Sequence, residues 1–205
     1  MVIGGFKGWA PLLRATDITS EAYSFPPNAT QAPGPLPLGN QIGSQLGPPY
    51  LNASTPQGLQ NDFNAVQEVT YTAGNLYAEL DTATGSGSST TSAAAWFRIA
   101  PSTTSNGVSA ALVRQGYVAT SQNIMYPDIV VGPNGNGFLA FSMSGSAEYP
   151  SAAYTAFNAN SGPVGPVIIE ATGNAPEDGF TCYFSGYGGC RWDDYSGGAV
   201  WNGQA

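Results

Sequence analysis

Between Val66 and Ala171 apolar and polar residues alternate in short runs, each closed by a turn signal. Val66 to Thr72 is β-branched and alternating, and Ala73-Gly74-Asn75 is the turn that follows it. Leu76 to Asp81 then alternates again, with Leu76, Ala78 and Leu80 on one face and Tyr77, Glu79 and Asp81 on the other. Side chains along a strand point to opposite faces with a period of two, so this pattern predicts a hairpin. Ala94 to Ile99 predicts a third strand, and Val108 to Val118 a fourth with a break near Gln115-Gly116. Tyr126 to Val131 and Phe138 to Met143 flank Gly132 to Gly137, whose Asn-Gly steps between apolar runs signal a second hairpin. Tyr149 to Phe157 and Val164 to Ala171 complete the series. A helical period is missing from every twelve-residue window, and the expected fold class is all-β and antiparallel.

Residues 1–60 differ in texture. Pro26-Pro27, Pro33-Gly34-Pro35, Pro37 and Pro48-Pro49 remove backbone donors too often for a helix or a central strand. This stretch is expected to be an extended Pro/Gly-rich arm. Trp9, Leu12, Leu13, Tyr23, Phe25 and Tyr50 are its candidate anchors on an all-β domain at 61–205.

Composition narrows the chemistry. The 205 residues contain no histidine, which removes Ser-His-Asp and Cys-His pairs, His-ligated zinc and an imidazole pH switch. Five basic residues against thirteen acidic ones give a formal net charge of −8, so there is no basic track for nucleic acid. Apolar runs are too short for a membrane-spanning helix. The turn at Gly132 to Gly137 lacks the Lys-Ser/Thr ending of a phosphate loop and lies between strands. The N-terminus shows no signal-peptide core, which leaves a cytosolic chain or one whose leader has been removed. Scarce lysine, abundant small hydroxyl residues and two nearby cysteines favour the second, an extracellular or cell-surface location. Cys182 and Cys190 enclose a Gly-rich stretch able to fold back, and a disulfide between them is expected.

Tyr126-Pro127-Asp128 and Tyr149-Pro150-Ser151 each open a strand, and Tyr195 to Val200 has related texture without the proline. Such a repeat suggests propeller blades, with a β-sandwich as the alternative. Four segments carry a likeness: Gln67 to Asp81; Gly116-Tyr117-Val118 with Tyr126 to Ile129; Gly137 to Ser151; and Pro176 to Thr181 with Arg191 to Ser196. On these the chain from Val66 to Val200 resembles exported, largely uncharacterised bacterial proteins with β-propeller-type repeats, distantly sialidase-like. In that group the last motif usually reads Arg-Trp-Gly-Asp-Tyr-Ser, so Asp193 is a departure. The resemblance implies a partial propeller and no particular activity. The strands are too few for a usual ring, which leaves a fragment, a ring completed by partner chains, or an open variant. Open edges with so little charge to protect them favour self-association.

The densest polar cluster joins Glu177 and Asp178 to Arg191, Trp192, Asp193, Asp194 and Tyr195 across the two cysteines. Read chemically, Glu177, Asp178, Asp193 and Asp194 supply a carboxylate pair for glycoside hydrolysis. Tyr183, Tyr187, Trp192 and Tyr195 would stack on sugar rings, with Arg191 as a polar contact. Read structurally, Arg191 pairs with an aspartate and Trp192 is core. No cofactor is expected, although Asp178, Asp193 and Asp194 offer hard oxygen ligands of the kind calcium takes. The first functional reading is a non-catalytic extracellular module that binds polysaccharide or like subunits, up to a homo-oligomer or extended assembly. The second is a sialidase-like carbohydrate-active hydrolase.

Overall fold

The structure is a computed structural model; it describes residues 23–35, 56–61, 66–105, 107–183, 189–193 and 196–200. Eight strands form in chain order: β1 (Val69–Thr72), β2 (Asn75–Thr84), β3 (Thr91–Thr104), β4 (Gly107–Val118), β5 (Asn123–Val131), β6 (Asn136–Gly145), β7 (Glu148–Asn158) and β8 (Gly162–Ala171). They make two antiparallel sheets of four, ordered β1-β2-β3-β4 and β5-β6-β7-β8. Each sheet is thus an up-and-down meander in which every strand pairs with its chain neighbour. Short 3-10 turns at Gly87–Ser89 and Phe180–Tyr183 are the other regular elements described.

The turns form where the sequence places them. Ala73 and Gly74 both take positive φ (46° and 78°) between β1 and β2, the backbone a tight hairpin needs. Gly135 does the same between β5 and β6, at φ 80°. The break expected near Gln115-Gly116 is instead a bulge: Arg98 faces Arg114 but Ile99 faces Leu112, so Val113 is the extra residue and β4 runs through unbroken.

The sheets stack face to face. Tyr77, Ala94, Trp96 and Val118 of the first pack against Ile129, Val131, Leu139, Phe141, Met143 and Phe157 of the second. Trp96 is the centre of this layer. Its ring meets Phe157 edge-on at 5.0 Å, and Phe157 meets Tyr77 the same way at 6.2 Å. Such pairs add about 0.5–1.5 kcal/mol beyond their burial. The indole fits because Gly116 and Gly162 lie against it; a Cβ on Gly162 would come within 2.6 Å of the ring. Between the sheets, β5 lies chiefly over β2 and β3.

The two outer faces differ. Leu76–Ile99–Leu112, Ala78–Phe97–Gln115 and Leu80–Ala95–Tyr117 are cross-strand rungs of the first sheet. Tyr23 of the arm covers them, its ring 5.4 Å from Phe97 and its hydroxyl donating to Gln115 Oε1 at 3.2 Å. Of the other expected anchors, Phe25 is exposed, while Trp9, Leu12, Leu13 and Tyr50 lie outside the described residues. The second sheet presents Phe138–Ala156–Val164, Ala140–Tyr154–Ile168 and Ser142–Ala152–Ala171. Within β6–β8 these rungs are uncharged, Asp128 of β5 facing Ala140 at the start of the middle one, and Val164 and Ile168 are 47% and 40% exposed.

Candidate functional site

Two acidic regions stand out, and they are built in opposite ways. The first is the cluster read from the sequence around the cysteines. Cys182 and Cys190 form the expected disulfide. It holds a small ladder together: Leu59 bridges to Ala29 on one side and to Cys190 on the other. Leu59 and Ala29 exchange N–H···O bonds of 2.7 and 2.9 Å, and the Gln60 amide donates to the Cys190 carbonyl at 2.7 Å. Ala29, Leu59, Met125, Tyr126 and the two cysteines bury one another as a satellite core, with Trp192 packed against it.

The polar groups of this knot are used locally. The Gln31 side chain clamps Glu177: its Nε2 donates to the Glu177 carbonyl at 3.0 Å, and its Oε1 accepts from the Glu177 amide at 2.6 Å. Glu177 Oε1 accepts from the Gly179 amide at 2.8 Å, an arrangement that shapes the turn before the 3-10 segment. Asp178 is buried, whereas Arg191 and Asp193 are exposed, and each of the three makes further polar interactions. The Arg191 amide donates to Thr181 Oγ1 at 3.0 Å. The Tyr183 side chain, Tyr187, Asp194 and Tyr195 lie outside the described residues. Glu177, Trp192 and the disulfide are therefore brought together, chiefly by segments of the arm. Among the described residues no group of three or more acidic or cysteine side chains is placed to hold a metal ion.

The second region was not singled out from the sequence. Glu79 and Asp81 lie on the inward face of β2, and Asp128 on β5. Glu79 is 1% exposed, and neither of its carboxylate oxygens closes a hydrogen bond of good geometry. Burial raises its pKa well above the ordinary value, and the charges of Asp128 and Glu68 raise it further. The backbone amides of Ile129 and Glu68 offset part of that cost. Asp128 is 2% exposed; burial first, then Glu68, pushes it up to about 6. Asp81 is also raised by burial, but it is better served. It accepts from the Tyr126 amide at 3.1 Å, and the Asn61 side chain lies beside it.

A bulge in β5 creates this second group. Met125 faces Ser142 while Asp128 faces Ala140, so Tyr126 and Pro127 together oppose a single residue of β6. The extra residue shifts Asp128 off the face that Ile124 occupies, as bulges re-aim the side chains beyond them. Tyr126 takes a positive φ of 50°, unfavourable for a bulky residue. Asp81 holds its amide, and Ser196 Oγ donates to its carbonyl at 2.7 Å. The Tyr-Pro-Asp motif is thus the bend within a strand. Tyr149-Pro150-Ser151 does open one, near the start of β7.

Comparison with protein-family models, curated proteins and solved structures returns no match. Among the described residues no helix is long and apolar enough to cross a membrane.

Proposed function

We propose that the chain is a non-catalytic, exported β-rich module whose sheets are successive propeller-like blades, and that it assembles through the outer face of β6–β8. The observation that carries this reading is the contrast between the two outer faces. On the first sheet Tyr23 packs over the centre of the face, with Tyr71 and Tyr117 exposed at its rim. On the second sheet three uncharged rungs, with Val164 and Ile168 at the rim, are left open to solvent.

The favoured occupant is another four-stranded sheet, supplied by a second copy of the chain. Two four-stranded meanders already pack face to face here, and a further sheet of the same sort would continue that packing. The low charge of the face suits this, because few charges would have to leave water when a second sheet covers it. The disulfide supports an oxidising compartment.

Light scattering across a concentration series tests the reading. Association is expected for the unmodified chain and is expected to be lost in Ile168→Lys, with the far-ultraviolet circular dichroism unchanged. A strictly monomeric chain contradicts it. So does retention on a neutral glycan column that Ile168→Lys abolishes, which would make polysaccharide the ligand of this face. Hydrolysis of a glycan panel, lost in Asp178→Asn, would replace it with the hydrolase reading.

A further inference from the structure

Glu68, Glu79 and Asp128 come from three separate elements: the segment before β1, the inward face of β2, and β5 beyond its bulge. No basic side chain of the described residues reaches them. Arg98, the cation on the same face, is spent elsewhere, donating to Asn75 Oδ1, the Ala159 carbonyl and Asn160 Oδ1. Both oxygens of Glu79 and one of Asp128 are buried without a hydrogen bond. A buried carboxylate in that condition strongly disfavours its charged form.

The segment 196–200 closes over the same place. Gly198 lies so near that a Cβ on it would sit 2.5 Å from Asp128 Oδ2 and 2.0 Å from Val130 Cγ2. The nearest described heavy atom to a Cβ on Gly197 would be Glu68 Oε2, at 3.8 Å. Ser196 ties the start of the strap to the Tyr126 carbonyl in the β5 bulge. The strap therefore packs against Asp128 and Val130 and passes near Glu68.

We propose that Glu79 and Asp128, with the charge of Glu68 beside them, form a proton-controlled latch: protons held on the two buried carboxylates keep the 196–198 strap closed over β5, and losing them opens it. With the protons in place, neutral carboxyls meet one another and the strap's glycines. Once they leave, like charges face each other where β2 meets β5. Hydration then requires water to enter, and the strap is the element in its way.

The sign of the pH dependence follows. For a carboxyl whose folded pKa lies above its unfolded one, the native chain holds more protons and stability falls as pH rises between the two values. For Asp128 the fall runs from its ordinary value of 3.8 to about 6 and is complete above that. Glu79, raised by the same cause, extends it upward. Asp81, its neighbour on β2, adds to the slope from its own buried place and remains in the variants below.

The test is the urea unfolding midpoint of the full chain from pH 4 to pH 8, with amide hydrogen exchange of residues 196–200 corrected for its intrinsic rate. The midpoint is expected to fall with pH and strap exchange to quicken above about pH 6. In Glu79→Gln combined with Asp128→Asn, the fall is expected to shrink by at least half and strap exchange to lose its pH dependence. Glu68→Gln, at a partly exposed site, is expected to act in the same direction more weakly. Glu170→Gln, which removes one exposed charge from β8, is the control and is expected to leave both readings as they are. A wild-type midpoint that stays level or rises with pH overturns the proposal, even if a variant fails to fold. An equal effect from Glu170→Gln also overturns it. So does a midpoint at pH 8 raised by millimolar calcium in the wild type but not in the double variant, which would make the group a cation site.

Discussion

The two acidic regions of this molecule teach opposite lessons about where charge is tolerated. The knot around Cys182–Cys190 holds acidic residues close in sequence, is tied to the arm through Gln31 and Leu59, and spends its polar atoms on turns and backbone amides. The group at β5 gathers residues 68, 79 and 128 from three separate elements, and it buries both Glu79 oxygens and Asp128 Oδ1 without a hydrogen bond of good geometry. The first is dense in charge but locally satisfied. The second is sparse and costly, and cost is the mark of a group kept for something other than stability. Density of polar residues along the chain is therefore a poor guide to the place where ionisation matters.

The largest expected effect falls on the knot. Replacing both cysteines by alanine frees a short loop, and about 2–3 kcal/mol of stability should be lost on the chain-entropy account. That loss, measured by urea titration, should be the same at pH 5 and pH 8, because no titrating group is involved; a loss confined to one pH would blur the contrast. Gly198→Ala comes next. Its methyl group has no room against Val130 and Asp128. Overpacking of this kind costs about 1–3 kcal/mol, here expected as faster exchange along the strap.

Smaller and opposite in sign are two glutamate substitutions. Glu177→Ala removes the acceptor of the Gly179 amide and should lose about 1 kcal/mol. Glu79→Gln should instead raise the unfolding midpoint at pH 8, since it removes a charge that burial disfavours. If both lower the midpoint, the two regions are alike and the comparison fails. Arg191→Ala, at an exposed site, should stay within about 0.5 kcal/mol in the same assay.

Much of the fold was legible because period-two alternation and turn residues act locally. The Ala73-Gly74 hairpin and the Asn-Gly turn before β6 lie where the residues place them. Alternation separated Tyr77, Glu79 and Asp81 from Leu76, Ala78 and Leu80, but it does not say how far each face is covered. Both are, one by the second sheet and one by Tyr23, so the polar-looking face of β2 is an interior. The Tyr126 bulge was beyond reach for a related reason. Tyr-Pro reads as the opening of a strand, whereas contacts from Asp81 and Ser196 let it bend one midway. The disulfide could be read from spacing alone. The latch could not, since its members meet only after two sheets have stacked.

The claim at the centre of this account is that Glu79 and Asp128 hold protons that ordinary carboxyls have lost. Side-chain carboxyl carbons of the full chain, followed by NMR from pH 3 to pH 9, report this residue by residue. The account predicts a midpoint for Asp128 near 6 and one for Glu79 well above the usual glutamate range. Midpoints for both at or below the ordinary carboxylate range would contradict it.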